Sequence, residues 1–182
     1  MNRYLRAAAY IPCGILKAGL LRLLRGAAFC CAGVCAFSPF SEIELEKGGS
    51  LSVGRHFRMR DGAKLRVRKG GSCQIGENVC LNSQNIITCR QRITIGSGVL
   101  LSPNVQIYDH DHDYRSDLTA YRTSPVEIGD GCWIGANTVI LRGTKLGAGC
   151  VVGAGSVIKG TYPPGSVIIQ KRRTWVKESV EE

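Results

Sequence analysis

The chain has 182 residues and a formal net charge of +10, with 24 basic and 14 acidic residues. This length provides one domain with a hydrophobic core. Aromatic residues do not alternate with the basic ones as they do on nucleic-acid-binding surfaces, so we expect no nucleic acid partner. The nine cysteines lack paired spacing, which argues against a zinc site or a disulfide framework and favours a reducing cytoplasm.

The N-terminal segment, residues 1–41, is apolar and basic. Its first thirty residues contain basic side chains but no acidic one. Charges interrupt the apolar stretch before it reaches the length of a membrane span, and their spacing is typical of an amphipathic helix. Two interpretations stay open. The helix caps the exposed edge of the fold that follows, or it contacts an anionic membrane surface through residues 1–30.

The central segment, residues 42–169, carries a six-residue repeat. Aliphatic residues recur at Ile128, Ile134, Ile140, Leu146, Val152 and Ile158, and a glycine follows most of them. A helix or an ordinary strand does not give this period, whereas hexapeptide repeats form parallel β-helices with three short strands per coil. We expect the aliphatic side chains to point inward. The glycines relieve crowding at the corners or adopt positive φ. Residues 170–182 form a charged tail.

One interruption of the repeat, residues 109–124, holds two of the three histidines. Long loops in repeat folds commonly carry function. Histidine is a natural general base for a hydroxyl group at neutral pH, and a neighbouring carboxylate can orient it. On an extended strand His110 and His112 share one face and the aspartates the other.

Three other interpretations of this segment stay open. It is an ordinary polar loop, a corner stabilised by aspartate side chains that bond to the backbone, or a metal site. Two imidazoles fall short of the three protein ligands of a catalytic zinc ion, so we expect no metal.

The sequence PNVQIYDHDHDYR, followed after the loop by VEIGDGCWIGANTVILRGTKLGAGCVVGAGSVI, resembles the hexapeptide-repeat O-acetyltransferases. The galactoside, maltose and polysaccharide branch is the most similar. The resemblance implies an all-β, left-handed parallel β-helix that forms a homotrimer, with active sites between adjacent solenoids. It also implies direct transfer of an acetyl group from acetyl-CoA to a hydroxyl of a sugar or a cell-surface polysaccharide precursor.

The resemblance also assigns residues. His112 matches the catalytic histidine, with His110 as the runner-up, and Asn82 matches an acceptor-binding asparagine. Tyr108 and Asp111 are further predicted acceptor-binding residues. The predicted coenzyme-binding residues are Trp133, Ala136, Ala154, Ser156, Lys159, Lys171 and Arg172. Many relatives close over the cofactor with an Ala-Gly-Asn-Pro-Ala-Lys sequence, whereas this chain has a basic sequence at 169–173 that suits coenzyme phosphates.

Two other functions are compatible with the same scaffold. One is a metal-dependent enzyme of the hexapeptide carbonic anhydrase type, which uses three histidines per site. The other is a noncatalytic scaffold. We expect the protein to be cytoplasmic, and the membrane interpretation of residues 1–30 would place it at the periphery of the inner membrane.

Overall fold

The computed structural model describes residues 3–171, with side chains from residue 8 onward. Helix α1 (Arg3–Arg25) and a 3-10 turn (Gly26–Ala28) precede a solenoid of three parallel sheets. The architecture confirms the predicted parallel β-helix with an N-terminal helix. Arg172, one of the predicted coenzyme-binding residues, and the rest of the charged tail beyond Lys171 lie outside the described residues.

The strands, numbered in chain order, form the three walls of the solenoid. Sheet 1 contains β1 (Phe29–Cys31), β4 (Ser50–Val53), β7 (Ser72–Ile75), β10 (Arg92–Ile95), β15 (Val126–Ile128), β18 (Lys145–Leu146) and β21 (Thr161–Tyr162). Sheet 2 contains β2 (Ala36–Phe37), β5 (Arg58–Met59), β8 (Cys80–Leu81), β11 (Leu100–Leu101), β16 (Trp133–Ile134), β19 (Val151–Val152) and β22 (Val167–Ile168). Sheet 3 contains β3 (Glu42–Leu45), β6 (Lys64–Val67), β9 (Ile86–Cys89), β12 (Gln106–Tyr108), β17 (Val139–Ile140) and β20 (Val157–Ile158).

The six-residue repeat sets the register between coils. In sheet 2, for example, Leu101 pairs with Ile134, which pairs with Val152 on its other side. All three side chains are buried in one continuous core. Like side chains therefore stack above one another, as the repeat predicts.

The glycines of the repeat relieve crowding, but most of them do not adopt positive φ. A Cβ atom on Gly135 would approach the backbone nitrogen of Ala154 in the next coil. Positive φ occurs two residues later, at Asn137, where the chain turns the corner. The crowding explanation is therefore right for Gly135, and the expectation of positive φ is wrong there.

The solenoid begins earlier than the predicted boundary at residue 42. Strands β1 and β2 already pair with β4 and β5, so a first coil starts at Phe29. The sequence did not indicate this coil because it lacks the aliphatic-glycine pairs of the later coils.

Helix α1 packs on the first coil. A Cβ atom on Gly14 would clash with the carbonyl oxygen of Cys35, so only glycine permits this approach of helix and strand. The Lys17 ammonium donates to the carbonyl oxygens of Ser38 and Ser41 at 2.9 and 2.6 Å. The helix covers the open coil, as the cap interpretation predicts. No helix of residues 3–171 has both the length and the apolar character needed to cross a bilayer.

The nine cysteines are all free thiols. Cys132 and Cys150 are buried, and their thiols donate to the carbonyl oxygens of Gly147 and Pro163 at 3.2 Å. They act as small apolar fillers inside the corners, which is the role expected for a thiol in this slot.

Candidate active site

The interruption of the repeat is an antiparallel hairpin, formed by β13 (His110–Asp113) and β14 (Asp117–Thr123). It leaves the solenoid where the chain passes from sheet 3 to sheet 1, an edge called the hairpin corner below. Its register places His112 opposite Tyr121. The predicted loop 109–124 is therefore an ordered element that projects from one edge of the solenoid.

A buried aspartate anchors the base of the hairpin. The Asp109 carboxylate accepts hydrogen bonds from the backbone N–H groups of Arg90 and Gln91, at 2.9 and 2.7 Å, and lies 3.0 Å from Nδ1 of His110. Burial alone would raise the pKa of Asp109. The hydrogen bonds from His110, from the two N–H groups and from the Cys89 thiol outweigh that effect and lower the pKa. The carboxylate is therefore ionised and holds the hairpin to the preceding coil.

The two histidines of the hairpin have different surroundings. His110 is largely buried, with its side chain 12% exposed, and its Nδ1 donates to ionised Asp109. His112 is exposed, and its Nδ1 lies 2.6 Å from the carbonyl oxygen of Leu118. A carbonyl oxygen can only accept, so Nδ1 of His112 carries the proton and Nε2 of the neutral ring has the free lone pair. His112 therefore presents a base to solvent, whereas His110 is part of the anchor.

Tyr121 packs against both imidazoles. Its ring centroid lies 4.6 Å from that of His112 and 5.4 Å from that of His110. The Arg90 guanidinium lies over the Tyr121 ring, with its central carbon 3.5 Å from the ring centroid. Cation–π and ring contacts thus hold the histidine face of the hairpin in one orientation. The predicted alternation is confirmed, since both histidines contact the same ring.

The aspartate face of the hairpin bonds to the solenoid. Asp111 accepts a hydrogen bond from Nε of Arg142 at 2.6 Å, which ties the hairpin to the next coil. Tyr108 donates to the side-chain oxygen of Gln106 at 2.9 Å, and burial raises the pKa of its hydroxyl. The predicted acceptor-binding residues Tyr108 and Asp111 thus lie beside the histidines. Asp111 has a structural partner that the sequence did not indicate.

Asn82 lies at a different edge. It follows β8, where the chain passes from sheet 2 to sheet 3, and its side-chain oxygen accepts the N–H of Ser83 at 2.9 Å. Ala136 and Ala154 follow β16 and β19 at the same edge, called the asparagine corner below. Among residues 3–171, no acceptor meets the backbone N–H of Ala136. Within one chain the structure does not bring Asn82 to His112.

Trp133 lies on the outer face of sheet 2, beside the asparagine corner. Its ring is half exposed, and its indole N–H donates to the Ser102 hydroxyl at 3.0 Å. Ser102 follows β11 at that corner. The exposed indole is held in one orientation and provides a flat apolar surface. This surface is not part of the hydrophobic core of the solenoid.

The remaining predicted coenzyme residues are scattered. Ser156 is buried, and its hydroxyl donates to the carbonyl oxygen of Gly153 at 2.7 Å, so its side chain is not available to a ligand. This slot of the repeat faces the interior, and the assignment of Ser156 as a coenzyme-binding residue stays a prediction. Lys159 is exposed at the hairpin corner, beyond Arg142, and Lys171 is exposed after the last strand.

The amide of Gln170 caps sheet 3 at the C-terminal end. It accepts the backbone N–H of Val157 at 2.9 Å and donates to the Val157 carbonyl at 2.7 Å, which reproduces the bonds of a further strand. The basic sequence that replaces the closing sequence of the relatives therefore begins beside the last coil.

Within the described part of the chain, no cluster of three or more histidine, cysteine, aspartate or glutamate side chains has the geometry of a metal site. His110 and His112 lie on one face of the hairpin and Asp111 bonds to Arg142 from the other, while the Asp109 carboxylate at the base contacts His110. The histidines and aspartates of the hairpin are groups that can take up and release protons.

Sequence reasoning missed four contacts of the site: the ring of Tyr121, the guanidinium groups of Arg90 and Arg142, and the carbonyl of Leu118. Tyr121 could have been found by assuming that residues 109–124 form a hairpin, since a turn near residue 115 brings it to the histidines. The contacts of Arg90 and Arg142 depend on how the coils stack around an irregular corner. No pattern in the sequence predicts that stacking.

Comparison with known proteins places these features in context. Residues 125–160 match the family model "Bacterial transferase hexapeptide (six repeats)". A putative lipopolysaccharide biosynthesis O-acetyl transferase, WbbJ of Escherichia coli K12, is 32% identical over 136 residues, which are 68% of this chain and 69% of the relative. Galactoside O-acetyltransferase of the same strain is 34% identical over 102 residues, 54% of this chain and 50% of the relative.

Among solved structures, the hexapeptide-repeat acetyltransferase VCA0836 of Vibrio cholerae, complexed with acetyl-CoA, has 26% identity and a TM-score of 0.51. The match covers 82% of this chain and 69% of the other. The chain spans about half the length, or less, of several other curated relatives.

Proposed function

The chain belongs to the hexapeptide-repeat acetyltransferase family, and we propose that it transfers an acetyl group from acetyl-CoA to a hydroxyl of a sugar or a cell-surface polysaccharide precursor. The observation that carries the proposal is His112, an exposed imidazole whose Nδ1 is bonded to the Leu118 carbonyl and whose Nε2 has no hydrogen-bond partner among the residues that the structure describes. The printed names of WbbJ and galactoside O-acetyltransferase support the acceptor class. The acetyl-CoA complex of VCA0836 supports the donor.

In the proposed reaction His112 acts as the general base. Nε2 takes the proton of the acceptor hydroxyl while its oxygen attacks the thioester carbonyl. The tetrahedral intermediate then collapses, the carbon–sulfur bond breaks, and the coenzyme leaves as a thiol with the proton from His112. The free backbone N–H of Ala136 is the proposed donor to the oxyanion. No covalent acyl-enzyme is needed, because acceptor and thioester react directly.

We further propose a homotrimer with its sites between chains. His112 lies at the hairpin corner, whereas Asn82, Ala136 and the Trp133 ring lie at or beside the asparagine corner. A closed ring of solenoids places one corner of each chain against another corner of its neighbour. This arrangement supplies both halves of the site, and light scattering should then give about three times the 19.7 kDa chain mass.

The coenzyme is proposed to lie along the exposed surface between these corners. Trp133 offers an apolar surface to the pantetheine arm, and Lys159 and Lys171 are exposed cations that suit its phosphates. Asp111 and Tyr108 remain proposed acceptor contacts next to His112. We also propose a cytoplasmic location, which the nine free thiols support.

The proposed activity is tested by an acceptor screen with acetyl-CoA, in which free thiol release is measured for galactosides, other sugars and polysaccharide precursors. We expect thiol release that depends on the acceptor and an O-acetylated product by mass spectrometry. Thiol release equal with and without every acceptor, together with no thermal stabilisation by CoA, would contradict the proposal. Zinc in the purified protein at one ion per chain, with bicarbonate-forming activity, would favour the metal enzyme instead.

A further inference from the structure

The face of α1 that points away from the solenoid is apolar and exposed. Residues that contact the first coil, such as Gly14 and Lys17, follow one side of the helix. On the other side lie Leu16, Leu20 and Leu23, which are 73%, 53% and 82% exposed. Ala8, Pro12, Ile15 and Gly19 complete this face by helical spacing, and all are exposed. The cap function uses one side of the helix and leaves a continuous apolar surface on the other.

Two arginines lie in the last turn of α1, and no acidic residue lies in the helix. Arg22 and Arg25 are exposed in its last turn. Arg58 and Arg60 are exposed in the second coil, and neither forms an ion pair with any residue that the structure describes. The last turn of the helix and the sheet 2 wall of the second coil therefore both carry positive charge.

The acidic groups near this end are already neutralised or bonded. The Asp61 carboxylate accepts hydrogen bonds from the hydroxyls of Tyr10 and Ser38. Three glutamates in or directly after β3 pair with two arginines in or directly after β6, an arrangement formed by Glu42, Glu44, Glu46, Arg66 and Arg68. No exposed carboxylate of α1 is available to offset Arg22 and Arg25.

We propose that the apolar face of α1 docks on an anionic lipid bilayer. Leu16, Leu20 and Leu23 enter the boundary between headgroups and acyl chains, while Arg22 and Arg25 contact lipid phosphates. Charge selects this occupant over a second copy of the chain, because two such faces would bring like-charged arginines together without a compensating acid. The helix lies in the membrane surface and does not cross it, in agreement with its composition.

The test is sedimentation of the purified full chain with vesicles of phosphatidylglycerol and phosphatidylcholine, compared with vesicles of phosphatidylcholine alone. We expect partition onto the anionic vesicles that weakens at high salt. Leu16→Glu combined with Leu23→Glu should reduce partition about a hundredfold, roughly tenfold for each leucine removed from the bilayer. Arg22→Gln combined with Arg25→Gln should reduce the preference for anionic vesicles about tenfold.

A matched control is Val167→Glu combined with Ile169→Glu, which places the same charges on exposed apolar residues at the far end of the solenoid. It should leave partition unchanged. Circular dichroism and thermal melting check that each variant folds. Absence of vesicle binding, equal loss in the control, or a self-assembled form that only the Leu16/Leu23 variant dissociates would overturn the proposal. The readout is lipid partition, so the result is independent of the proposed function.

Discussion

The coil walls and the hairpin of this protein are stabilised in opposite ways. In the walls, aliphatic residues such as Ile134 stack in register and are fully buried. In the hairpin, every residue of β14 is exposed, and order comes from a few polar contacts at its base. Asp109, Arg142 and the Tyr121 stack hold it to the solenoid. The fold therefore depends on a repeated pattern, whereas the candidate site depends on single side chains that occur once.

This difference predicts that substitutions will separate into two classes. Changes in the walls should lower stability, and activity will fall only as the folded population falls. Changes in the hairpin should lower activity with smaller effects on stability. Four sets of substitutions test this division, and the final experiment tests whether two chains together form one site.

The largest expected effect is that of His112→Asn. The amide keeps a hydrogen-bond donor for the Leu118 carbonyl but has no base at the position of Nε2. Acetyl transfer should fall roughly 10²- to 10⁴-fold, with the thermal midpoint unchanged. His110→Asn is the matched control, and it should lower stability more and turnover less, since His110 is part of the anchor. Full turnover by His112→Asn, or a larger turnover loss in His110→Asn, would show that the histidines are assigned wrongly.

A wall substitution should affect mainly stability. Ile134→Ala removes a fully buried side chain from between two coils and should lower the free energy of unfolding by about 2–5 kcal/mol. Leu100 lies on the outer face of the neighbouring strand and is 47% exposed, so Leu100→Ala should lower the free energy of unfolding by much less than Ile134→Ala does. Chemical denaturation measures both. Equal losses in the two variants would mean that the core is not arranged as the register indicates.

The Asp109 anchor should make part of the stability dependent on pH. Asp109→Asn removes the ionised acceptor of two backbone N–H groups and should lower the free energy of unfolding by about 1–3 kcal/mol at neutral pH. The pKa of Asp109 is lower in the folded than in the unfolded state. The stabilisation is therefore complete above the ordinary aspartate pKa of about 3.9 and is lost as the pH falls through the folded-state pKa.

Denaturation of wild type and Asp109→Asn over a series of acidic pH values checks this prediction. The difference between them should shrink as the solution becomes more acidic. Asp113→Asn, at a partly exposed aspartate of the same hairpin that accepts a hydrogen bond from the Ser116 hydroxyl, is the matched control and should lower the free energy of unfolding at neutral pH by less than Asp109→Asn does. A constant difference between wild type and Asp109→Asn at all pH values would contradict the ionised anchor.

The smallest expected effect is that of the Asp111–Arg142 pair. Both groups are partly exposed, so breaking the pair should change the free energy of unfolding by less than about 1 kcal/mol. Because the pair orients the hairpin, Asp111→Asn and Arg142→Gln should each lower turnover by about tenfold. A double-mutant cycle should show non-additive losses in turnover. Additive losses would mean that Asp111 acts on the acceptor without help from Arg142.

The sequence predicted the walls well because their information is repeated. Each coil has an aliphatic residue at the same inward-facing position. The burial of Ile128 and Val152 therefore follows from the period alone. The first coil escaped prediction because tertiary pairing with β4 and β5 stabilises it without that pattern. The family resemblance, confirmed by the 32% identity with WbbJ over 69% of that relative, supplied the left-handed helix and the trimer as expectations.

The site was predicted less completely for a physical reason. His110 and His112 could be identified as candidates because the sequence alone shows which residue types occupy the break in the repeat. The contacts that distinguish them, to Asp109 and to the Leu118 carbonyl, depend on how the hairpin folds back. The direction of the Ser156 hydroxyl is a further example, since its bond to the Gly153 carbonyl inside the corner is visible only in the folded chain.

The most direct test of the account is a complementation experiment with Asn82→Ala and His112→Asn. Each variant alone should be nearly inactive. After the two are unfolded together and refolded at equal concentration, about a quarter of all interfaces in the randomly assembled trimers combine an intact Asn82 from one chain with an intact His112 from its neighbour. Acetyl transfer should then recover to about that fraction of the wild-type rate. Mixed assemblies that form but stay as inactive as the separate variants would contradict it.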